Sequence, residues 1–351
     1  MRLSLPRTSL LARYALKQAL TLPFAVLKFL SGGTIVHING RTLDPQIQFL
    51  RQVIFARPDR IPLSLTGGSL EGVREDWAEA AALTRPVRTS VRIETTGTDT
   101  VHGQWVRPPV IDPDAPLLVL LHEGGGVLGG PDLSLAFASI FAEAARCPVF
   151  LPDYRLAPAH RFPAAFDDAR DAFVWAQANA ERLGASSGTV ALGGISMGAN
   201  MATRLCLDLK RDFRPLPVAQ LLISPLLDLA DTGLRHNPYA QSWPIGAADL
   251  EMMIAHYAGA GLSLSDPALS PLRQSLIVGQ PDTLVVAAGL DPLAEQAEAW
   301  VRRLSEARTT VLYRRYDPLP CGFTLFAGLV DHAEQATRDM AQVFMTMVRA
   351  T

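Results

Sequence analysis

A pentapeptide in the second half of the chain has the residue types of a turn that presents a nucleophilic serine. Gly194-Ile195-Ser196-Met197-Gly198 follows a short apolar run and opens a stretch with helical patterning. Glycines at both ends permit a crowded, strained turn that lifts the serine hydroxyl above a sheet. A chance match in an ordinary turn is the alternative. The position between a predicted strand and a predicted helix favours Ser196 as a catalytic nucleophile.

A glycine-rich loop earlier in the chain has the composition of a site that stabilises negative charge. Residues 122–126, His-Glu-Gly-Gly-Gly, directly follow the apolar run at 117–121. Glycines allow backbone N–H groups to point at an oxyanion as it forms. A simple glycine turn is the alternative, but a place after a core strand and before the serine favours an oxyanion loop. The predicted donors are the N–H groups of Gly124, Gly125 and Met197.

The elements that would position these groups alternate regularly after Pro86. Strands are predicted at residues 87–94, 101–106, 117–121, 149–151, 190–192, 220–223, 283–287 and 310–315, and helices at 133–145, 166–182, 197–211, 292–306 and 334–349. This alternation predicts a mostly parallel eight-stranded sheet with helices on both faces. Asp291 comes after the predicted strand at 283–287, where it can orient a catalytic base or simply cap a helix. The chain order, serine and then aspartate, favours the catalytic role.

Two regions interrupt the alternation. Residues 229–264 lie between predicted strands, and residues 1–85 precede the sheet. We expect both to form a helical cap over the carboxyl ends of the strands, where open α/β sheets bind ligands. The chain would then divide into an N-terminal cap arm, 1–85, and an α/β domain, 86–351, with a cap insertion at about 229–264. Helices before about residue 60 are expected to pack against that insertion.

The sequence of the first residues is compatible with contact with a membrane surface. Arg2, Arg7, Arg13 and Lys17 precede the apolar stretch 19–27, which is too short to span a bilayer. No small-residue cleavage site follows, so a signal peptide is not expected. A helix packed over the mouth of the site is the favoured interpretation. The alternative is a basic amphipathic segment that rests on a membrane surface.

The composition excludes several other functions. A net charge of -2 provides no broad basic field for nucleic acid. The three cysteines, Cys147, Cys206 and Cys321, have no paired spacing, which argues against a disulfide framework and favours a reducing, cytoplasmic location. No cluster of cysteine and histidine suggests a metal site.

Residues 153–160 resemble a sequence motif of a known family. Their sequence, Asp-Tyr-Arg-Leu-Ala-Pro-Ala-His, resembles the Asp-Tyr-Arg-Leu-Ala-Pro-Glu-His string of the hormone-sensitive-lipase esterases at seven of eight positions. The resemblance covers about residues 86–351. It implies a three-layer α/β-hydrolase fold with a helical cap, hydrolysis of short- or medium-chain carboxylic esters, and no cofactor. Asp153 and Arg155 are expected to brace the active-site loops through charge-assisted hydrogen bonds and not to be catalytic.

The resemblance fails at the catalytic base. The family carries a His-Gly-Phe string about thirty residues after the aspartate, and here residues 321–323 are Cys-Gly-Phe, with 321 − 291 = 30. A thiol has one titrating atom with an ordinary pKa of about 8.5, and a neighbouring Asp291 opposes thiolate formation. Cys321 therefore occupies the base position but is a poor general base.

Further departures surround the same pocket. Glu123 replaces the family's first glycine of the oxyanion triplet, Gly126 its usual aromatic residue, and Ile195 the acidic residue before the serine. Another histidine could substitute as the base. The candidates are His332 near the start of the last helix and His236 and His256 in the cap insertion, whereas His102 and His37 are expected to be structural or surface residues.

The sequence therefore predicts a serine carboxylic-ester hydrolase of weak activity, with Ser196, Asp291 and Cys321 in the triad positions. Two alternatives stay open because the histidine is missing: a non-hydrolytic binder of a small apolar ligand, and a lyase or cyclase on the same scaffold. The expected partner is a small-molecule ester or apolar ligand, and a homodimer and a peripheral membrane contact also stay open. The Ser196 hydroxyl is expected to lie near Gly124 and Gly125.

Overall fold

The computed structural model describes residues 9–56, 61, 63–66 and 68–350 of the chain. Its strands are β1 (His37–Ile38), β2 (Arg41–Thr42), β3 (Arg92–Gly97), β4 (His102–Arg107), β5 (Leu117–Leu121), β6 (Val149–Pro152), β7 (Val190–Ile195), β8 (Ala219–Ile223), β9 (Asp282–Leu290) and β10 (Val311–Pro320). Its α-helices are α1 (Leu10–Leu20), α2 (Phe24–Leu30), α3 (Pro45–Phe49), α4 (Leu70–Thr84), α5 (Leu135–Ala145), α6 (Ala164–Asn179), α7 (Met197–Arg211), α8 (Ala247–Ala258), α9 (Ala294–Glu306) and α10 (Asp331–Ala350).

The main sheet has eight strands in the order β10-β9-β8-β7-β5-β6-β4-β3. Strands β4 and β3 pair antiparallel at one edge, and the six others run parallel. Every residue of β5, β6, β7 and β8 is buried, as apolar strands covered on both faces must be. Helix α5 packs against α10, and α6 packs against α7, as outer layers of the sheet. The predicted three-layer α/β-hydrolase fold is confirmed.

Two strands extend further than their sequence pattern predicts, and both extensions lead to the site. Strand β9 continues to Leu290, directly before Asp291, and β10 continues to Pro320, directly before Cys321. Leu290 and Pro320 are register partners, after an irregularity in the pairing of the two strands. The prolines of β10 concealed this extension because proline cannot donate a hydrogen bond to the ladder and indicates the end of a strand. The opening strand, by contrast, begins at Arg92 and not at residue 87.

The N-terminal arm lies against two surfaces. Arg41 donates a hydrogen bond to the hydroxyl of Tyr239 at 2.8 Å, and Phe55 contacts the ring of Trp243, so these residues touch the predicted cap insertion. Helix α1 instead reaches the start of α10, where the Lys17 ammonium pairs with Asp331 at 2.8 Å. The expectation of packing on residues 229–264 therefore describes only part of the arm. Arg2 and Arg7 lie outside the described residues.

Residues 229–264 connect β8 to β9 and contain the 3₁₀ turn Leu234–His236 and helix α8. The division of the chain into a cap arm at 1–85 and an α/β domain at 86–351 remains a prediction. Within the described part of the chain, no helix has the length and apolar character needed to cross a membrane.

Candidate active site

Ser196 lies at the sharp turn between β7 and α7. Its backbone has φ 56° and ψ −115°, a conformation that a residue with a side chain adopts only under strain. The Ser196 N–H donates to the carbonyl of Ile223 at 2.9 Å, which ties the turn to the end of β8. The side chain is buried, with 3% of its surface exposed. This is the strand–turn–helix geometry that the sequence predicted for the serine.

The two glycines that flank the serine are required by close backbone approach. A Cβ atom on Gly194 would lie 2.2 Å from the carbonyl carbon of Gly198. A Cβ atom on Gly198 would lie 2.1 Å from the carbonyl oxygen of Leu121, the last residue of β5. The turn therefore contacts the end of β5, from which the glycine-rich loop starts. A side chain at position 198 would push the turn away from that strand end, and one at position 194 would open the turn itself.

The glycine-rich loop turns back on itself with positive φ angles of 111°, 69° and 69° at Gly124, Gly125 and Gly126. The Gly124 carbonyl accepts hydrogen bonds from the N–H groups of Val127 and Leu128, at 3.0 and 2.8 Å. Among the described residues, the N–H groups of Gly124 and Gly125 donate no hydrogen bond. Free N–H groups in a tight loop beside a serine turn are suited to bind an oxyanion.

Asp291 and Cys321 are in contact at the ends of the paired strands β9 and β10, and both are buried. The Asp291 Oδ1 atom accepts the N–H of Leu293 at 2.8 Å. In the described part of the chain, Oδ2 accepts no hydrogen bond of good geometry, although the Ser224 hydroxyl and the Cys321 thiol face the carboxylate. A buried carboxylate with one free oxygen is arranged to accept a further donor, as a triad aspartate does from imidazole.

The charges at this end of the site keep the thiol protonated. Burial raises the pKa of the Cys321 thiol well above its usual value, and the neighbouring Asp291 carboxylate raises it further. Burial also raises the pKa of Asp291, while the Ser224 hydroxyl, the Leu293 N–H and the Cys321 thiol act in the opposite direction. The Cys321 thiol is therefore protonated at neutral pH and cannot serve as a proton acceptor.

Glu123 is fully buried and links two parts of the site that are far apart in sequence. Its carboxyl group accepts a hydrogen bond from the Ser134 hydroxyl, and its Oε1 atom accepts one from the Thr324 hydroxyl at 3.1 Å. Thr324 follows Cys321 by three residues, so Glu123 connects the glycine-rich loop with the loop that carries the thiol. Burial raises the pKa of Glu123 above its ordinary value. The sequence identified this residue as a departure from the family but could not indicate its contacts.

The loop at residues 153–160 braces the site, although differently from the prediction. The Arg155 guanidinium pairs with Asp168 on α6, with a closest contact of 2.7 Å. Asp153 instead faces His102 at 3.7 Å, which is too long for a hydrogen bond. The expected hydrogen-bonded bracing therefore comes from Arg155, while the Asp153 carboxylate accepts no hydrogen bond from the described residues.

Two further residues brace the loops and were missed by sequence reasoning. The Tyr154 hydroxyl donates to the His122 carbonyl at 2.8 Å. Arg74 on α4 donates to the carbonyls of Val127 and Ala157, and so joins the glycine-rich loop to the loop at 153–160. Arg74 lies in a stretch with ordinary helical patterning, so no local signal distinguishes it.

The substitute histidines are engaged elsewhere or exposed. His332 Nδ1 lies 2.5 Å from Asp44 Oδ2, and the resulting ion pair raises the pKa of His332. His37 contacts the Thr42 hydroxyl, and His236 is exposed. His256 is half-buried on α8. Within the described residues, none of these histidines forms a hydrogen bond with Ser196, Asp291 or Cys321.

Helix α8 covers the glycine-rich loop directly. A Cβ atom on Gly125 would lie 2.5 Å from Met253 Sδ, and one on Gly126 would lie 2.5 Å from Tyr257 Cδ2. Both side chains are buried. The apolar patterning of α8 predicted a cap helix, but not which of its residues face the loop. The absence of a side chain on Gly126 thus provides the space that Tyr257 occupies.

Comparison with known proteins places the chain among esterases. The α/β-hydrolase fold family matches residues 118–325. The carboxylic ester hydrolase LipN of Mycobacterium tuberculosis is 31% identical over 320 residues, which cover 86% of this chain and 82% of the relative. The carboxylesterase NlhH of the same organism is 32% identical over 292 residues, which cover 80% of this chain and 90% of that protein.

Solved structures agree with these relatives. An esterase from the bacterial hormone-sensitive lipase family superimposes with a TM-score of 0.72 and 27% identity, covering 80% of this chain and 92% of that structure. An ester-hydrolase from the metagenome of Lake Arreo gives a TM-score of 0.72 and 28% identity, covering 80% and 90% of the two chains.

Proposed function

The chain belongs to the α/β-hydrolase fold family, of the hormone-sensitive-lipase type, and from that premise we propose that it hydrolyses carboxylic esters slowly, with Ser196 as nucleophile. The observation that carries the proposal is the strained turn at Ser196 packed against a loop with free N–H groups. The names of the relatives, which are ester hydrolases, support the class of substrate.

In the proposed reaction, the Ser196 hydroxyl oxygen attacks the ester carbonyl carbon and forms an acyl-enzyme with release of the alcohol. The N–H groups of Gly124, Gly125 and Met197 stabilise the oxyanion of the tetrahedral intermediate. Water then attacks the acyl group and regenerates the serine. The glycine-rich loop and the serine turn act without a change of protonation state, so this part of the catalysis does not depend on a histidine.

Proton transfer is the step that Cys321 slows. A triad histidine accepts the serine proton and later returns it to the leaving group. The Cys321 thiol is already protonated, so it cannot accept that proton. The proton must pass to solvent water, and the general-base contribution of about 10²–10⁴-fold is lost. The remaining rate comes from the oxyanion donors and from substrate positioning.

A non-hydrolytic ligand binder remains the second candidate. Cys321 favours it, because the base is missing, and so does the close cover of Met253 and Tyr257 over the glycine-rich loop. The esterase names of the relatives favour the hydrolase. No feature of the described residues favours a lyase or cyclase.

The two candidates differ in a covalent step, which an activity-based probe detects even when turnover is slow. The purified chain is incubated with a fluorophosphonate and with a p-nitrophenyl short-chain ester, beside Ser196→Ala and Ser224→Ala. The hydrolase account expects phosphonylation and slow ester cleavage that Ser196→Ala abolishes, with labelling retained in Ser224→Ala. Absence of labelling in the parent chain, together with saturable binding of an apolar ligand, would establish the binder instead.

A further inference from the structure

The first two helices are attached to the body through only a few side chains. Leu16 and Leu20 are the buried residues of α1, and Leu27 is the buried residue of α2. Lys17 donates to the Leu329 carbonyl at 2.9 Å, which fixes α1 to the segment before α10. These contacts occupy one side of each helix and leave the other side exposed among the described residues.

The outward side of these helices is apolar. On α1 the exposed residues Leu10 and Leu11 both neighbour the exposed Tyr14, at spacings of four and three residues, and Leu11 is 61% exposed. Five more exposed apolar residues lie in and next to α2, namely Leu22, Phe24, Val26, Phe29 and Leu30, and Phe29 is 78% exposed. We call these eight residues the N-terminal apolar face. On an ordinary protein surface, exposed apolar residues are scattered singly. Eight large apolar side chains in so short a segment therefore indicate a binding surface.

The charged side chains of the segment that carries this face have a single sign. Residues 1–43 contain no aspartate or glutamate, and the first carboxylate of the chain is Asp44. The same residues contain six cations: Arg2, Arg7, Arg13, Lys17, Lys28 and Arg41. Of the four described, Arg13, Lys17 and Arg41 bind groups of the body, whereas the Lys28 ammonium makes no ion pair or hydrogen bond with the described residues. The free charge next to the apolar face is therefore positive.

We propose that the N-terminal apolar face docks on the surface of a lipid bilayer that contains anionic lipids. Amphipathic helices with basic residues and exposed Leu and Phe lie in the interface, with their apolar side chains at the boundary of headgroups and acyl chains. Anionic headgroups attract a segment that has cations and no carboxylates. A second copy of the chain fits less well, because a twofold interface would bring together two cationic segments, neither of which contains a carboxylate.

Docking would not require the helices to leave the body. The residues that attach them, Leu16, Leu20 and Leu27, lie on the opposite side from the apolar face. The Gln46 side-chain amide also donates to the Leu20 carbonyl at 2.9 Å and so fixes the end of α1. The protein would rest on the bilayer as a rigid body held by two short helices. This inference does not depend on ester hydrolysis.

Flotation with lipid vesicles tests the inference without reference to catalysis. The full chain is mixed with vesicles of phosphatidylcholine alone or with phosphatidylglycerol, at low and high salt. The variants are Leu11→Ser with Phe29→Ser, and Lys28→Glu. Matched controls are Phe213→Ser and Lys210→Glu in and beside the loop between α7 and β8, where Phe213 is 97% exposed.

We expect the parent chain to float with the anionic vesicles and to be released by high salt. The double apolar variant should lower the partition coefficient at least about tenfold, and Lys28→Glu about fivefold, while both controls behave as the parent chain. The proposal is overturned if the parent chain does not float, if the controls lose as much binding as the variants, or if neutral vesicles bind equally well. It is also overturned if sedimentation shows a dimer that Phe29→Ser dissociates, since the face would then bind a second copy.

Discussion

The two halves of the site are held together in different ways. At the serine turn, backbone atoms approach so closely that Gly194 and Gly198 accept no side chain, and the conformation at Ser196 is strained. At the base, Gly322 has a positive φ of 78° but its surroundings are looser, since a Cβ atom there would lie 3.1 Å from Pro244 Cγ. The comparison teaches that close backbone contacts hold the nucleophile half, whereas the base position depends on the chemistry of one side chain, Cys321.

Alanine substitution of one glycine in each half gives the largest expected difference. Gly198→Ala would place a methyl group 2.1 Å from the Leu121 carbonyl oxygen and should cost at least about 4 kcal/mol of stability or prevent folding. Gly322→Ala should cost about 1–3 kcal/mol, the strain of a side chain at positive φ. Urea unfolding followed by circular dichroism measures both. Equal stability of the two variants would remove the distinction between the halves.

A second test concerns the cover that α8 provides over the nucleophile half of the site. Met253→Ala should cost about 2–5 kcal/mol because it leaves a cavity, and it should also uncover Gly125. Reaction of Ser196 with a bulky fluorophosphonate should become faster, since the probe must reach the glycine-rich loop. The neighbouring Met252, which is only partly buried on the same helix, provides the control. If Met252→Ala accelerates labelling as much as Met253→Ala, the cover is not specific to Met253.

Glu123 connects the two halves, and its substitution should have a smaller effect on stability, one that depends on pH. Its pKa is raised by burial, so the folded chain binds a proton that the unfolded chain releases above the ordinary glutamate pKa of about 4.3. Stability should therefore fall as the pH rises from this value through the raised pKa of the folded state. Glu123→Gln removes this dependence and should stabilise the protein at pH 7 by about 1 kcal/mol.

Thermal unfolding between pH 4 and pH 7 measures the effect, with the exposed Glu306→Gln as control. A stability difference between Glu123→Gln and the parent chain that does not change with pH would show that Glu123 is ionised in the folded protein.

Sequence patterns predicted those parts of the site that are local in the chain. The serine turn, the glycine-rich loop and the strand Leu117–Leu121 were recognised because glycine spacing and apolar runs are encoded within a few residues. The sheet and its eight strands followed from the alternation of elements.

The remaining contacts join residues that are distant in sequence. Glu123 meets Thr324 across 201 positions, and Tyr257 fills the space above Gly126. The pairing of Leu290 with Pro320, which brings Asp291 to Cys321, was concealed by the prolines of β10. Side-chain packing of this kind depends on the folded geometry and has no local pattern.

The central claim is that the nucleophile half and Asp291 remain in place and that only the base is missing. The decisive measurement is kcat/KM of Cys321→His and the parent chain on the same short-chain p-nitrophenyl esters, with Cys321→Ala and the double variant Cys321→His with Ser196→Ala as controls. A gain of about 10²-fold or more is expected, rising with pH as the new imidazole loses its proton. Neither control should show the gain. A parent chain that already turns over at the rate of Cys321→His would contradict the account, because the base would then lie elsewhere.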